Sequence, residues 1–263
     1  MKHRAPLKSL VVRNSSAREC GRLPPSAEGL AEPHYLGDVP VPVDPGRFRK
    51  ALAILKRRYS VRSWARGRGS FDVLISIIIS QNSTDLVTER VMRDFRSRGP
   101  ITPESLLVKS QSQLVAILRP AGLAPQKVPR IRAVARRVIR DYRGDLNRLR
   151  AMDTVTAREA LMALPGVGPK TADVWLALVA GRDTMPVDTH IHRLARRWRL
   201  SPSEEYEDVT AALKRLIPPR SRFLGHLVLI EFGRDICHAR RPECGRCPVY
   251  DLCDAADRLP RKG

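Results

Sequence analysis

The chain has 263 residues, 43% of them hydrophobic, enough for one large domain or two small ones whose core needs no covalent staples. Its 48 Lys and Arg against 27 Asp and Glu leave a formal charge of +21, far beyond the about 2–8 that solubility asks of a small domain. The excess points to a polyanion, nucleic acid ahead of an anionic membrane surface, and no apolar run reaches the roughly 20 residues of a membrane span.

Residues 1–43 are rich in Pro, Ser and charge without helical periodicity, and predict a basic, disordered N-terminal arm with Cys20 as a bystander. The arm lacks the continuous apolar stretch of a secretion signal. A cytoplasmic, nucleoid-associated protein is expected if the source is prokaryotic, although the arm's composition also suits organellar targeting. Order is expected from Asp44 onward, and the fold class is all-α. Segments 47–59, 85–95, 112–119, 128–142 and 206–217 place apolar residues at i, i+3, i+4 and i+7. "VLISIIIS" (73–80) suits a buried helix, Thr102 before Pro103 reads as an N-cap, and "PAGLAP" (120–125) breaks the chain between helices.

Residues 157–164 and 170–181 form two apolar-faced helices joined by "PGVG", a hairpin spanning 157–180. Gly166 and Gly168 suit positive φ and a close backbone approach to a ligand, and Pro169 suits the first helical position. The turn is either a tight αα-corner or a helix-hairpin-helix that grips DNA backbone through Gly166, Val167, Gly168 and Thr171; the charge favours the second. Only nine of the basic residues are lysines, against 39 arginines. Lys170 therefore stands out, because a lysine can shed its proton and attack carbon whereas arginine cannot. The helix dipole at its position, with partial burial against DNA, favours the neutral amine.

Eighteen residues on, Asp188 in "MPVDTHIHR" is an N-cap by pattern, and beside a lysine nucleophile it has a second reading: to stabilise positive charge on a sugar or shuttle a proton. His190 and His192 diverge on a helix, make a poor metal pair, and are read as surface or DNA-facing. Cys237, Cys244, Cys247 and Cys253 follow a C-x6-C-x2-C-x5-C pattern. Four thiols in so short an uneven loop suit a [4Fe–4S] cluster, with zinc as the alternative. Arg240 and Arg241 lie in the segment between the first two cysteines, which is either a basic loop for phosphate contact or an ordinary solvated loop.

"SQNSTD", "LPGVGPKTA", "VDTHIHR" and the spaced cysteines, in that order over residues 45–255, together resemble the endonuclease III branch of the helix-hairpin-helix DNA glycosylases. The resemblance implies a six-helix domain at 71–182 and an iron–sulfur cluster domain built from 44–70 and 183–255, with the DNA groove between them and a short tail at 256–263. It implies a base-excision-repair N-glycosylase and AP lyase acting on damaged pyrimidines or abasic sites in double-stranded DNA, as a monomer. Lys170 would be the nucleophile, Asp188 the catalytic carboxylate, and the four cysteines the cluster ligands. Gln81, Asn82, Leu123, His190, Arg240 and Arg241 would contact DNA, with Leu123 either at the position of an apolar wedge or an ordinary buried loop leucine. The chain departs from the family where many members carry glutamine: Asn82 stands there and Gln81 precedes it. The alternatives are a monofunctional uracil or mismatch glycosylase and, in another class, a non-catalytic iron–sulfur DNA-binding protein.

Overall fold

The computed structural model describes residues 44–61, 64–253, 255 and 257–260. The arm at 1–43, with Cys20, and much of the 256–263 tail lie outside the described residues. Regular structure among the described residues is entirely helical. The first helix, α1 (Pro45–Arg58), begins where the Asp44 carboxylate accepts the N–H groups of Gly46 and Arg47.

Every residue of α2 (Ser70–Ser80) is buried, so its polar side chains must find partners inside the protein. Asp72 accepts Nε and Nη2 of Arg96, both at 2.7 Å, from α3 (Asp85–Ser97), and the Ser80 hydroxyl donates to the Ile77 carbonyl at 2.6 Å. Thr102 caps α4 (Pro103–Val108) in a reciprocal capping box with Ser105, as its sequence predicts, and Ser110 with Gln113 does the same for α5 (Gln111–Leu118). A 3-10 turn, Arg119–Ala121, then leads through Gly122 and Leu123 into α6 (Ala124–Tyr142). The break is shorter than "PAGLAP" suggests, because Pro125 lies in the first turn of α6, where a missing N–H costs no hydrogen bond. The remaining helices are α7 (Thr154–Met162), α8 (Pro169–Val179), α9 (Thr189–Arg197), α10 (Tyr206–Leu216) and α11 (Arg222–Asp235).

The buried apolar residues form two clusters. One is drawn chiefly from α2 to α8, between Phe71 and Leu176; the other joins Phe48, Leu52 and Leu55 of α1 to residues between Met185 and Val249. Trp64 packs against both. Within the second, the rings of Phe48 and Trp198 meet edge to face at 5.9 Å. Trp175 anchors α8 in the first: it is fully buried and its Nε1 donates to the Ser70 carbonyl at 2.9 Å. Trp175→Ala removes both the packing and the hydrogen bond, and chemical denaturation is expected to show a loss of about 3–5 kcal/mol.

Candidate active site and DNA interface

The α7–α8 hairpin places Lys170 one residue after Pro169, in the first turn of α8. The side chain is only 6% exposed. Its pKa is lowered to about 7, first by burial; the Asp188 carboxylate opposes the shift, Arg234 adds to it and Asp85 opposes it. Burial within the protein itself is already enough to lower it, before any contact with DNA. Near neutral pH a large fraction of this amine is unprotonated, the form that attacks carbon.

Asp188 caps α9, its Oδ1 accepting the N–H groups of His190 at 3.0 Å and Ile191 at 2.9 Å. The residue is 4% exposed, and Oδ2 has no hydrogen-bond partner among the described residues. The cap fixes one carboxylate oxygen and leaves the other in the electrostatic neighbourhood of Lys170. Both residues line one cavity of about 620 Å³, with Gly168, Val187, His192, Arg193 and Tyr206. The segment carrying Asp188 is braced by His226 of α11, whose fully buried ring bonds the Pro186 carbonyl through Nδ1 at 2.8 Å. Burial pushes His226 down to about 4, so the ring is neutral and its Nδ1–H donates.

The hairpin turn differs from the sequence expectation in one glycine. Gly166 has φ +75°, but Gly168 has φ −93°: as the N-cap of α8 it is extended and needs no left-handed conformation. Val167 and Thr171 are buried, and the Val167 N–H closes the turn on the Leu164 carbonyl at 3.1 Å. Gln81 is buried too. Its Nε2 donates to the Gly166 carbonyl at 3.5 Å and its Oε1 accepts from Arg130 Nη1 at 3.3 Å. Asn82 is exposed at φ +56°, and Leu123 is 48% exposed at φ +53°, which excludes a buried loop leucine. His190 is half-buried, its Nδ1 3.1 Å from Arg193 Nη2 and its Cβ against Gly233; its neighbour His192 is the histidine that lines the cavity. Arg130 and His226 escaped sequence reasoning, since each reads there as one more residue of a periodic helix.

A Cβ on Gly166 would stand 2.1 Å from Cδ of Arg130. Gly166→Ala therefore both strains the turn and displaces that arginine, and is expected to weaken binding to a duplex with an abasic-site analogue roughly tenfold, about 1.4 kcal/mol, by fluorescence anisotropy.

The four cysteines are gathered after α11, none of them in a disulfide. Burial raises Cys237, and raises Cys247 to about 11, with Cys253, Cys237 and Cys244 all adding to the latter. Among the described residues no three His, Cys, Asp or Glu side chains are grouped as around a single ion. Four thiols whose charges interact are a donor set that an iron–sulfur cluster would hold as thiolates. Arg197 Nη1 donates to Cys237 Sγ at 3.1 Å, and Arg193 donates to the Cys237 carbonyl, so α9 supports the loop from outside. Arg240 and Arg241 are exposed on that loop, Arg241 at φ +52°.

Residues 75–219 match the model of the HhH-GPD superfamily base excision DNA repair protein, and residues 237–253 match that of the iron-sulfur binding domain of endonuclease III. The endonuclease III of Escherichia coli (strain K12) is 31% identical over 189 residues, covering 72% of this chain and 85% of that protein. The chain belongs to the endonuclease III family. Similar too is the longer endonuclease III homolog 2, chloroplastic, of Arabidopsis thaliana, 30% identical over 195 residues, 71% of this chain but only 48% of its relative. A solved trapped endonuclease III–DNA covalent intermediate superposes with a TM-score of 0.70 at 28% identity, covering 80% of this chain and 96% of the other. As a member of this family the protein is a base-excision-repair DNA glycosylase and AP lyase with a [4Fe–4S] cluster. No helix among the described residues is long and apolar enough to cross a membrane.

Proposed function

We propose that this endonuclease III family member removes oxidised pyrimidines from duplex DNA by a Schiff-base mechanism in which Lys170 is the nucleophile and Asp188 the catalytic carboxylate. The observation that carries this reading is a buried lysine with a pKa of about 7 sharing one cavity with a carboxylate whose Oδ2 has no hydrogen-bond partner among the described residues.

The flipped nucleotide enters the cavity with its C1′ facing Lys170. The Nζ lone pair forms the bond to C1′ as the N-glycosidic bond breaks, and the base leaves with that electron pair and takes up a proton. The C1′–O4′ bond breaks as the nitrogen lone pair makes the C1′=N bond, and O4′ takes up the proton that Asp188 removed from the amine. Loss of a C2′ proton then expels the 3′ phosphate. Asp188 stabilises positive charge as it develops on the sugar and accepts a proton from the attacking amine. Each role needs an ionised oxygen that the α9 cap does not occupy.

The two apolar clusters support two domains, 71–182 and 44–70 with 183–255, with the cavity where they meet. Cys237, Cys244, Cys247 and Cys253 would hold the cluster, which would supply rigidity to the loop rather than a reaction step. That loop presents Arg240 and Arg241 to phosphates. Backbone amides of Gly166 and Gly168, with those at the start of α8, grip the strand, Leu123 enters the gap left by the flipped base, and Asn82 reaches the opposite strand. A single chain acts on DNA, and its +21 charge suits association with nucleoid DNA.

A panel of duplexes carrying thymine glycol, uracil or a G·T mismatch tests the substrate. Base loss and strand scission together on thymine glycol are the expected result. Base loss from uracil or the mismatch alone, without scission, would support a monofunctional enzyme instead.

A further inference from the structure

One buried cation takes no part in the chemistry above. Lys127, on the first turns of α6, is 4% exposed. Its Nζ donates to the carbonyl of Ile79 at 2.7 Å and to the carbonyl of Ala121 at 2.9 Å, and burial lowers its pKa to about 8. An ammonium held only by main-chain oxygens is a costly way to fill a core, since a methionine would pack there without desolvating a charge.

The two acceptors have one thing in common. Ile79 lies two residues before Gln81, at the end of α2, and Ala121 two residues before Leu123, at the end of the 3-10 turn. Each carbonyl belongs to a helix terminus, where the last acceptors lack intrahelical partners and carry the negative end of the dipole. Immediately beyond each terminus the backbone turns left-handed in a non-glycine residue, at Asn82 (φ +56°) and Leu123 (φ +53°). The two loops also lie close together: a Cβ on Gly122 would stand 4.0 Å from the Asn82 carbonyl.

We infer that Lys127 is a positioning residue, an internal strut that locks the Gln81–Asn82 loop to the Gly122–Leu123 turn so that both strained loops enter the duplex as one rigid unit. The inference rests on the assignment of Asn82 and Leu123 to the DNA face. The strut matters most when a stacked base must be forced out of the helix. It matters less at an abasic site, where no base opposes extrusion.

The test uses the cluster-loaded protein with Lys127→Met. Hydrogen exchange is measured first, on the amides of Gln81, Ser83, Gly122 and Gln126, which are bonded within these two loops. All four are expected to exchange at least tenfold faster, with α9 and α11 unchanged; wild-type rates in either loop overturn the strut. Single-turnover excision of thymine glycol and scission of an abasic duplex are measured next. Excision is expected to fall at least tenfold more than scission, and Leu123→Ala to lower the same ratio with no further loss in the double variant. Parallel falls in both rates, or additive losses in the double variant, would make Lys127 an ordinary structural residue. Should Lys127→Met not fold, Lys127→Gln, which keeps N–H donors but is too short to span both carbonyls, gives the same readouts. A wild type that excises nothing would refute the proposed function, while the exchange measurement would still judge the strut.

Discussion

Lys170→Met is expected to abolish the borohydride-trapped adduct with an abasic duplex and, at pH 8.5, to raise the melting temperature. The first effect follows because no other lysine among the described residues lines the cavity, and arginine cannot replace a deprotonated amine. The second follows from linkage. The folded-state pKa of about 7 lies below the usual 10.5, so the unfolded chain binds more protons between those values. The lysine's unfavourable contribution therefore begins as pH falls below 10.5 and is complete below about 7, growing by about 1.4 kcal/mol for each step of one in pH between those limits. At pH 8.5 the buried amine is already largely neutral, so removing it takes no counter-charge from Asp188. A gain of about 2 °C or more by calorimetry is the expected signature of a residue kept for chemistry at the expense of stability. In wild type, adduct formation should rise with pH through about 7 and level off above 8.

Asp188→Asn separates the two functions of one side chain. Asparagine is as good an N-cap as aspartate, so its Oδ1 keeps the bonds to His190 and Ile191 and stability changes by less than about 1 kcal/mol. The charge on Oδ2 is lost, and single-turnover excision is expected to fall by about 10²–10³, the usual cost of removing one group aimed at developing charge. The pH profile should move as well. The carboxylate raises the Lys170 pKa, so its removal lowers that pKa and the midpoint of adduct formation shifts below 7. A lower plateau with a downward-shifted midpoint is the combined prediction, measured by trapping across pH. A merely structural Asp188 would lower the plateau and leave the midpoint in place.

The residues legible in the sequence are those whose role is local. Asp188 as a cap, Thr102 before Pro103, the cysteine spacing and the lysine after "PGVG" are all patterns within a few residues, and the structure shows the two caps and sets Lys170 in the first turn of α8. What escapes depends on contacts between distant segments. Lys127 reads as a polar residue at the start of a periodic helix, and only tertiary packing brings it under Ile79. His226 looks like an ordinary helix residue until α11 meets the segment carrying Asp188. Glycine at position 168 permits a positive φ, whereas the N-cap of α8 requires extended backbone. His190 and His192 cannot be ranked by spacing alone; the packing of His190 on Gly233 decides which of them faces the cavity. The burial that lowers the Lys170 pKa is likewise a property of the assembled cavity, although the type and position of the residue already suggest a nucleophile.

The most direct test of the Schiff-base mechanism is to reduce the wild-type adduct on an abasic duplex with borohydride, digest it, and locate the sugar remnant by mass spectrometry. Modification of Lys170 is the expected result, in an amount that rises through pH 7. Modification of Lys127 or any other residue, or no adduct at any pH, would contradict the mechanism.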